Sequence, residues 1–365
     1  MSRNKHNKQV ASRKSTPAQL PNICIFQLGS SDTGEELPKH GVYLYSHSSS
    51  PYLLCVSLDK LLVIDSSDRE LYAEYKATED MFSSVIEYTG LILVGSVLGY
   101  VYSISLANFH CSPPIHVHDG SVIQLIAHPV ENTWIASIGG DGYLKLINMQ
   151  DDMSKFKRVH DRFLLQLKIS GEASAMSFSP QGDWLLTSYD NGIRAWEIER
   201  KNLSKDKRFR KTAPPFSVQL YGSKFHQSTV ERIVFIRDDV VASKDKIEQC
   251  VLLWKFDIDA DVWRMSSNTI EHEPTLLYTV ACDFSAFDYI RETSKLVVAM
   301  DKGVVRILPL LFDEEMESDS DVTVSVRFGT TQDLPGPDQP ITGIYCLHNK
   351  ILVGLANNCV VVYAN

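Results

Sequence analysis

Few residues in this chain could act together chemically. Three histidines stand out: His116, His118 and His226. His116 and His118 are two apart and flank a turn, a spacing that could hold a metal ion in a β-protein. His118 is followed by Asp119-Gly120 and then an apolar run, which suits a structural role at the head of a repeat. His226 stands in a turn before an apolar run ending at Phe235. Beyond the turn Asp238-Asp239 come a short run from Val240 to Ala242, then Ser243-Lys244-Asp245, then a run from Val251 that ends at Trp254. A His, a Ser and a Trp in this order can form a buried relay. The indole N–H donates to the hydroxyl, the hydroxyl meets the imidazole, and the imidazole meets an acid in a turn. Each polar group tolerates burial only because another satisfies it. Between Phe225 and Asp257 the acid is displaced or missing. There is no GxSxG, no P-loop and no HExxH. Glu87, Glu231 and Asp288 are the acids of the first runs, each as easily a surface residue as a catalytic one. The expectation is a protein with no catalytic residues, no cofactor and no metal site.

The order turn His, strand, turn, strand, Ser and Asp, strand, Trp is the sequence mark of a WD40 propeller blade. Seven such units can be traced. They open at Gly41, Phe82, Val122, Ala173, the His226 turn, Phe287 and Ile341, spaced by roughly 40 residues early and 55 later. Short β-branched runs alternate with turns such as Gly139-Gly140-Asp141-Gly142, Asp190-Asn191-Gly192 and Asp301-Lys302-Gly303. Asp141 and Asp190 fall where a propeller places its structural acid. Trp134, Trp184, Trp196 and Trp254 read as core. The seventh unit has only three strands, and the lone strand from Asn22 to Leu28 can supply the fourth. The expected fold is all-β: a seven-bladed WD40 β-propeller over residues 21–365, its N-terminal strand completing the last blade.

Composition agrees with a packed domain: 44% hydrophobic, 22% charged, net charge −9. That charge argues against a surface that is basic throughout. No apolar run approaches the roughly 20 residues that span a bilayer, and the first residues carry no apolar signal segment. Seven scattered cysteines with no CxxC read as reduced thiols. Residues 1–20 read as a disordered basic tail. Three insertions interrupt the repeats: a basic one (Arg200, Lys201, Lys205, Lys207, Arg208, Arg210, Lys211), a polar linker from Asp257 to Pro274, and an acidic loop from Asp313 to Asp321. The basic loop is a candidate contact for nucleic acid or an acidic partner.

The fifth unit, KFHQSTVERIVFIRDDVVASKDKIEQCVLLWKFD, resembles a blade of the embryonic ectoderm development / extra sex combs WD40 family. CDFSAFDYIRETSKLVVAMDKGVVRIL is similar to that family's next blade, and HVHDGSVIQLIAHPVENTWIASIGGDGYLKLIN to an earlier one, with Ile147 in the Trp place. The resemblance implies a nuclear, non-catalytic scaffold of a Polycomb-type histone H3 lysine methyltransferase complex that acts in chromatin silencing. Its partners would be a SET-domain methyltransferase of the Enhancer-of-zeste type and the histone H3 tail. The family reads trimethyl-lysine with an aromatic cage, by cation–π attraction. Here the matching positions hold His40, Phe82-Ser83 and Ser285-Ala286, with Phe284 adjacent. The implied cage is therefore lost or altered; Phe82, Phe284 and Phe287 read as core. The alternative is a WD40 adaptor in an unrelated assembly, such as a ubiquitin-ligase substrate receptor or an RNA-processing complex.

Overall fold

The computed structural model describes residues 22–27, 43–46, 52–57, 60–65, 71–76, 79–149, 163–169, 173–198, 217–220, 225–248, 250–257, 270–281, 284–300, 303–316, 322–336, 339–347, 350–355 and 359–364. His40, the first 21 residues, the whole basic loop 200–211 and residues 317–321 lie outside them.

The described strands form seven sheets, the blades of a WD40 propeller. The strands of each blade are lettered a to d from the centre outwards. The a strands are Tyr43–Ser46, Phe82–Tyr88, Val122–Ala127, Met176–Phe178, Val230–Arg237, Phe284–Ile290 and Ile341–Leu347. Each touches the next, and the last touches the first, so the ring closes. In blade 7, Asn22–Gln27 pairs antiparallel with Cys359–Ala364 as the outermost strand. The chain start therefore covers the edge that the chain end would otherwise expose.

Packing follows from the period-2 alternation of strands. In blade 5, strand b is Val240–Asp245 and strand c is Cys250–Lys255. Val240, Ala242, Val251 and Leu253 face blade 6, whereas Val241, Leu252 and Trp254 face blade 4. The middle strands are thus apolar on both sides. Seven buried clusters result, each lying between two adjacent blades, including one that joins blade 7 to blade 1.

Two insertions depart from the sequence reading. The linker Asp257–Pro274 is not wholly irregular: Ile270–His272 pairs in parallel with Ser217–Leu220 and adds a fifth strand to blade 4. The acidic stretch is not a loop over its first four residues. Asp313–Met316 ends a twelve-residue strand, Val305–Met316, whose outer half pairs with Val322–Phe328. The resulting hairpin leans onto blade 5, burying Leu310, Val324 and Val326 with Val280. Tyr278 and Phe328 meet edge to face at 4.9 Å, and Arg237 pairs with Glu314 at 2.6 Å. The acids survive as a strand because alternate positions, Leu310 and Phe312, pack inward while Asp313 pairs with Arg327.

Candidate functional site

Polar groups inside the ring fall into relays within blades and links between blades. In blade 3, His118 Nδ1 donates to Asp141 Oδ1 at 2.9 Å, and its Nε2 meets Ser137 Oγ at 2.9 Å. Asp141 also accepts the backbone N–H of Asp119 and Tyr143. Burial alone would push the Asp141 carboxyl up, but His118 and those N–H groups outweigh it, and the net shift is downward. Burial lowers the His118 ring below its ordinary value, with Asp141 opposing and Lys145 assisting. Lys145 is buried, lies 3.7 Å from Asp141 and donates to the Val117 carbonyl. Gly139 is required here, because a Cβ would stand 2.3 Å from the His118 ring. Ile147, in the Trp place, is buried and apolar, so this relay ends at Ser137. His116 is exposed, stacked edge-on against Tyr100 at 5.0 Å. The two histidines therefore do not share a site.

Blade 4 keeps the other end of the relay: Trp196 Nε1 donates to Thr187 Oγ1 at 3.0 Å. Blade 5 carries the relay from Trp254 Nε1 to Ser243 Oγ, 2.9 Å, and from Ser243 to His226 Nε2, 2.7 Å. There it stops. Asp245 Oδ2 lies 3.9 Å from His226 Nδ1, beyond hydrogen-bond reach. Asp245 stands two residues after the relay serine, where blade 3 places its acid four after, and it is captured by the turn. It accepts N–H from Gln227, Ser228, Ile247 and Glu248. Burial drives the His226 ring down to about 4, with Asp245 opposing and Lys244 assisting.

The inner strands are linked from blade to blade by side chains. Ser83 Oγ donates to the Val122 carbonyl, and Ser84 Oγ accepts the Leu125 N–H. Gln124 Oε1 accepts the Met176 N–H, and Ser174 Oγ donates to the Val230 carbonyl. Asp288 joins three blades, accepting from Arg232 Nη2 at 3.0 Å and from the Cys346 N–H at 2.7 Å. Glu231 pairs with Lys244, and Glu87 is buried and engaged. Asp288 and Glu87 are therefore not the surface residues that sequence alone allowed. Both lie within the packed ring.

The positions matched to an aromatic cage are scattered among these links. Phe82 is 7% exposed and packs edge-on against Tyr102 at 5.6 Å. Phe284 and Phe287 are each 2% exposed, between blades 5 and 6. Ser285 Oγ donates to the Ala299 carbonyl at 3.5 Å, and Ala286 is half-buried against the cluster joining blades 6 and 7. Sequence reasoning missed one grouping. His226, Asp245 and Glu248 each offer a ligand atom, all within 4.8 Å of one another. No spaced metal motif in the sequence joins His226, Asp245 and Glu248.

The profile of the family described as "WD domain, G-beta repeat" matches residues 165–197, which contain the third strand of blade 4 and its Trp196. No curated protein matches the sequence. Solved structures share the fold at low identity. A chain of the autoinhibited apo ctPRC2 structure aligns with TM-score 0.69 and 12% identity, over 95% of this chain and 98% of that one. A chain of the mitotic checkpoint complex aligns with TM-score 0.65 and 11% identity, over 100% and 99%. The β-propeller domain of Cps50 (Swd1) from Myceliophteria thermophila aligns with TM-score 0.61 and 9% identity, over 89% and 97%.

Proposed function

We propose that this WD40 propeller is a non-catalytic scaffold subunit of a Polycomb-type histone methyltransferase complex in the nucleus. The observation that carries the reading is the resemblance of the fifth and sixth units to the corresponding blades of that family. The described carboxylates of the ring are consistent with it. Asp288 and Glu231 are tied to Arg232 and Lys244. The partner would be a SET-domain methyltransferase.

Trimethyl-lysine reading is lost in this proposal. Phe82 and Phe284 present no free ring face to a cation, and Ser83 holds the next blade. Purification of the tagged protein from its own cells, followed by mass spectrometry, should recover a SET-domain subunit. Calorimetric titration with trimethylated histone H3 peptide should show no binding at micromolar concentration. Micromolar binding would reverse the cage reading. Recovery of a different assembly without a methyltransferase would favour the adaptor reading, which the comparable likeness to a mitotic checkpoint chain keeps in view. The basic residues from Arg200 to Lys211 would add a nucleic-acid contact, seen as binding that weakens steeply with salt.

A further inference from the structure

We propose that the turn of blade 5 is a site for a divalent transition-metal ion of the zinc class, held by His226 Nδ1, Asp245 and Glu248. The three ligand atoms lie within 4.8 Å of one another. A second observation points to a ligand independently of the acids. The His226 side chain is fully buried, yet its Nδ1 has no hydrogen-bond partner and faces Asp245 across 3.9 Å. Folding normally does not leave a buried ring nitrogen unanswered. The gap is too long for a hydrogen bond. It is about 0.6 Å wider than the roughly 3.3 Å that separates two ligands bound tetrahedrally to zinc at about 2.0–2.1 Å, so the two would draw together on an ion.

The surrounding chemistry fits the ion. A metal on Nδ1 leaves the Nε2 proton to donate outward, and Ser243 Oγ waits at 2.7 Å to accept it. Ser243 also accepts from Trp254, within the two lone pairs of a hydroxyl. The blade's relay thereby becomes the outer support that fixes a ligating imidazole. Four backbone N–H groups hold the Asp245 carboxylate in place. The Glu248 N–H is one of them, so the turn that fixes one acid also brings up the other. Two carboxylates neutralise a dication. Lys244 is turned away onto Glu231 and the Asp245 carbonyl. Glu248 is only half-buried, which gives an ion a way in. Cys250 Sγ, 3.7 Å from Glu248 Oε2, places a softer donor at the rim. Blade 3 lacks such a site, because Asp141 already occupies His118 Nδ1.

The test uses the full chain, stripped with a chelator and titrated with zinc chloride against a chromogenic zinc indicator. The expected result is one ion bound per chain. Cobalt(II) in its place should give the visible absorption of a four-coordinate site. Glu248→Gln, at a half-exposed position, should lower zinc affinity by at least about tenfold while leaving the melting temperature in chelator unchanged. His272→Gln, altering an imidazole that pairs with Asp257 elsewhere, should leave affinity unchanged. Failure of the wild type to bind zinc, or equal affinity in E248Q, would overturn the site.

Discussion

Blades 3 and 5 contain the same relay with opposite ends missing. Blade 3 keeps the acid and has lost the indole: Asp141 grips His118 at 2.9 Å, while Ile147 fills the Trp place. Blade 5 keeps the indole and has displaced the acid: Trp254 holds Ser243, while Asp245 stands 3.9 Å from His226. Where blade 3 places Asp141, four residues after its serine, blade 5 carries Ile247, 75% exposed. Neither blade leaves its core open. A half relay therefore suffices when the vacated end is apolar, as in blade 3. When the vacated end is a ring nitrogen, as in blade 5, it leaves a polar atom to be answered.

The largest expected effect breaks the indole end. Trp254 is fully buried and meets Phe225 edge to face at 5.5 Å. Trp254→Ala should cost about 3–5 kcal/mol in urea unfolding, and Ile147→Val in blade 3 only about 0.5–1.5 kcal/mol. Equal losses would mean that the two positions are not counterparts.

A second experiment measures the acid end directly. A double-mutant cycle of His118→Gln with Asp141→Asn should show a coupling of about 1–3 kcal/mol, as for groups in direct contact. The same cycle for His226→Gln and Asp245→Asn in metal-free protein should show a smaller coupling, because at 3.9 Å the two make no hydrogen bond.

Acid gives the third comparison. The folded His118 ring titrates below its ordinary value of 6.5, chiefly because it is buried. The unfolded chain therefore takes up the proton first. Stability is full above about 6.5 and falls as pH drops through that value. Asp141, also shifted downward, adds a separate loss below its ordinary 3.8 as pH falls through the folded value. Urea midpoints measured from pH 7 to pH 5 should fall for the wild type and fall less for His118→Gln. Equal slopes would show that His118 does not titrate as its burial dictates.

The smallest effect lies outside both relays, where the blade 6 hairpin rests on blade 5. Arg237 reaches Glu314 at 2.6 Å and lies over the Phe312 ring at 5.1 Å. Glu314→Ala should cost under about 1 kcal/mol, because the pair is partly exposed, and less still at high salt. A larger loss would make the hairpin a structural brace for blade 5.

The middle strands were legible in the sequence because they are buried on both faces. Their runs, such as Trp134–Gly139 and residues 240–243, are apolar or small throughout. Most of the outer strands were not legible. Cys111–His116 contains two prolines and exposes most of its positions, as an edge strand can. Leu276–Ala281 is similarly exposed. The closure of blade 7 by Asn22–Gln27 was readable because a three-strand count at one end matched a spare strand at the other.

Local order in the chain determined the repeat: turn residues, period-2 burial and the polar members of each relay are neighbours along a blade. Which polar atoms meet was decided only by the tertiary structure. The Asp288 link between three blades spans 56 residues to Arg232 and 58 to Cys346. Whether Asp245 reaches His226 depends on about 1 Å, set by four competing backbone donors in its own turn. Residue type and spacing fix which partners are available. Hydrogen bonding and metal ligation depend on tenths of an ångström, and only the packed blades set those distances.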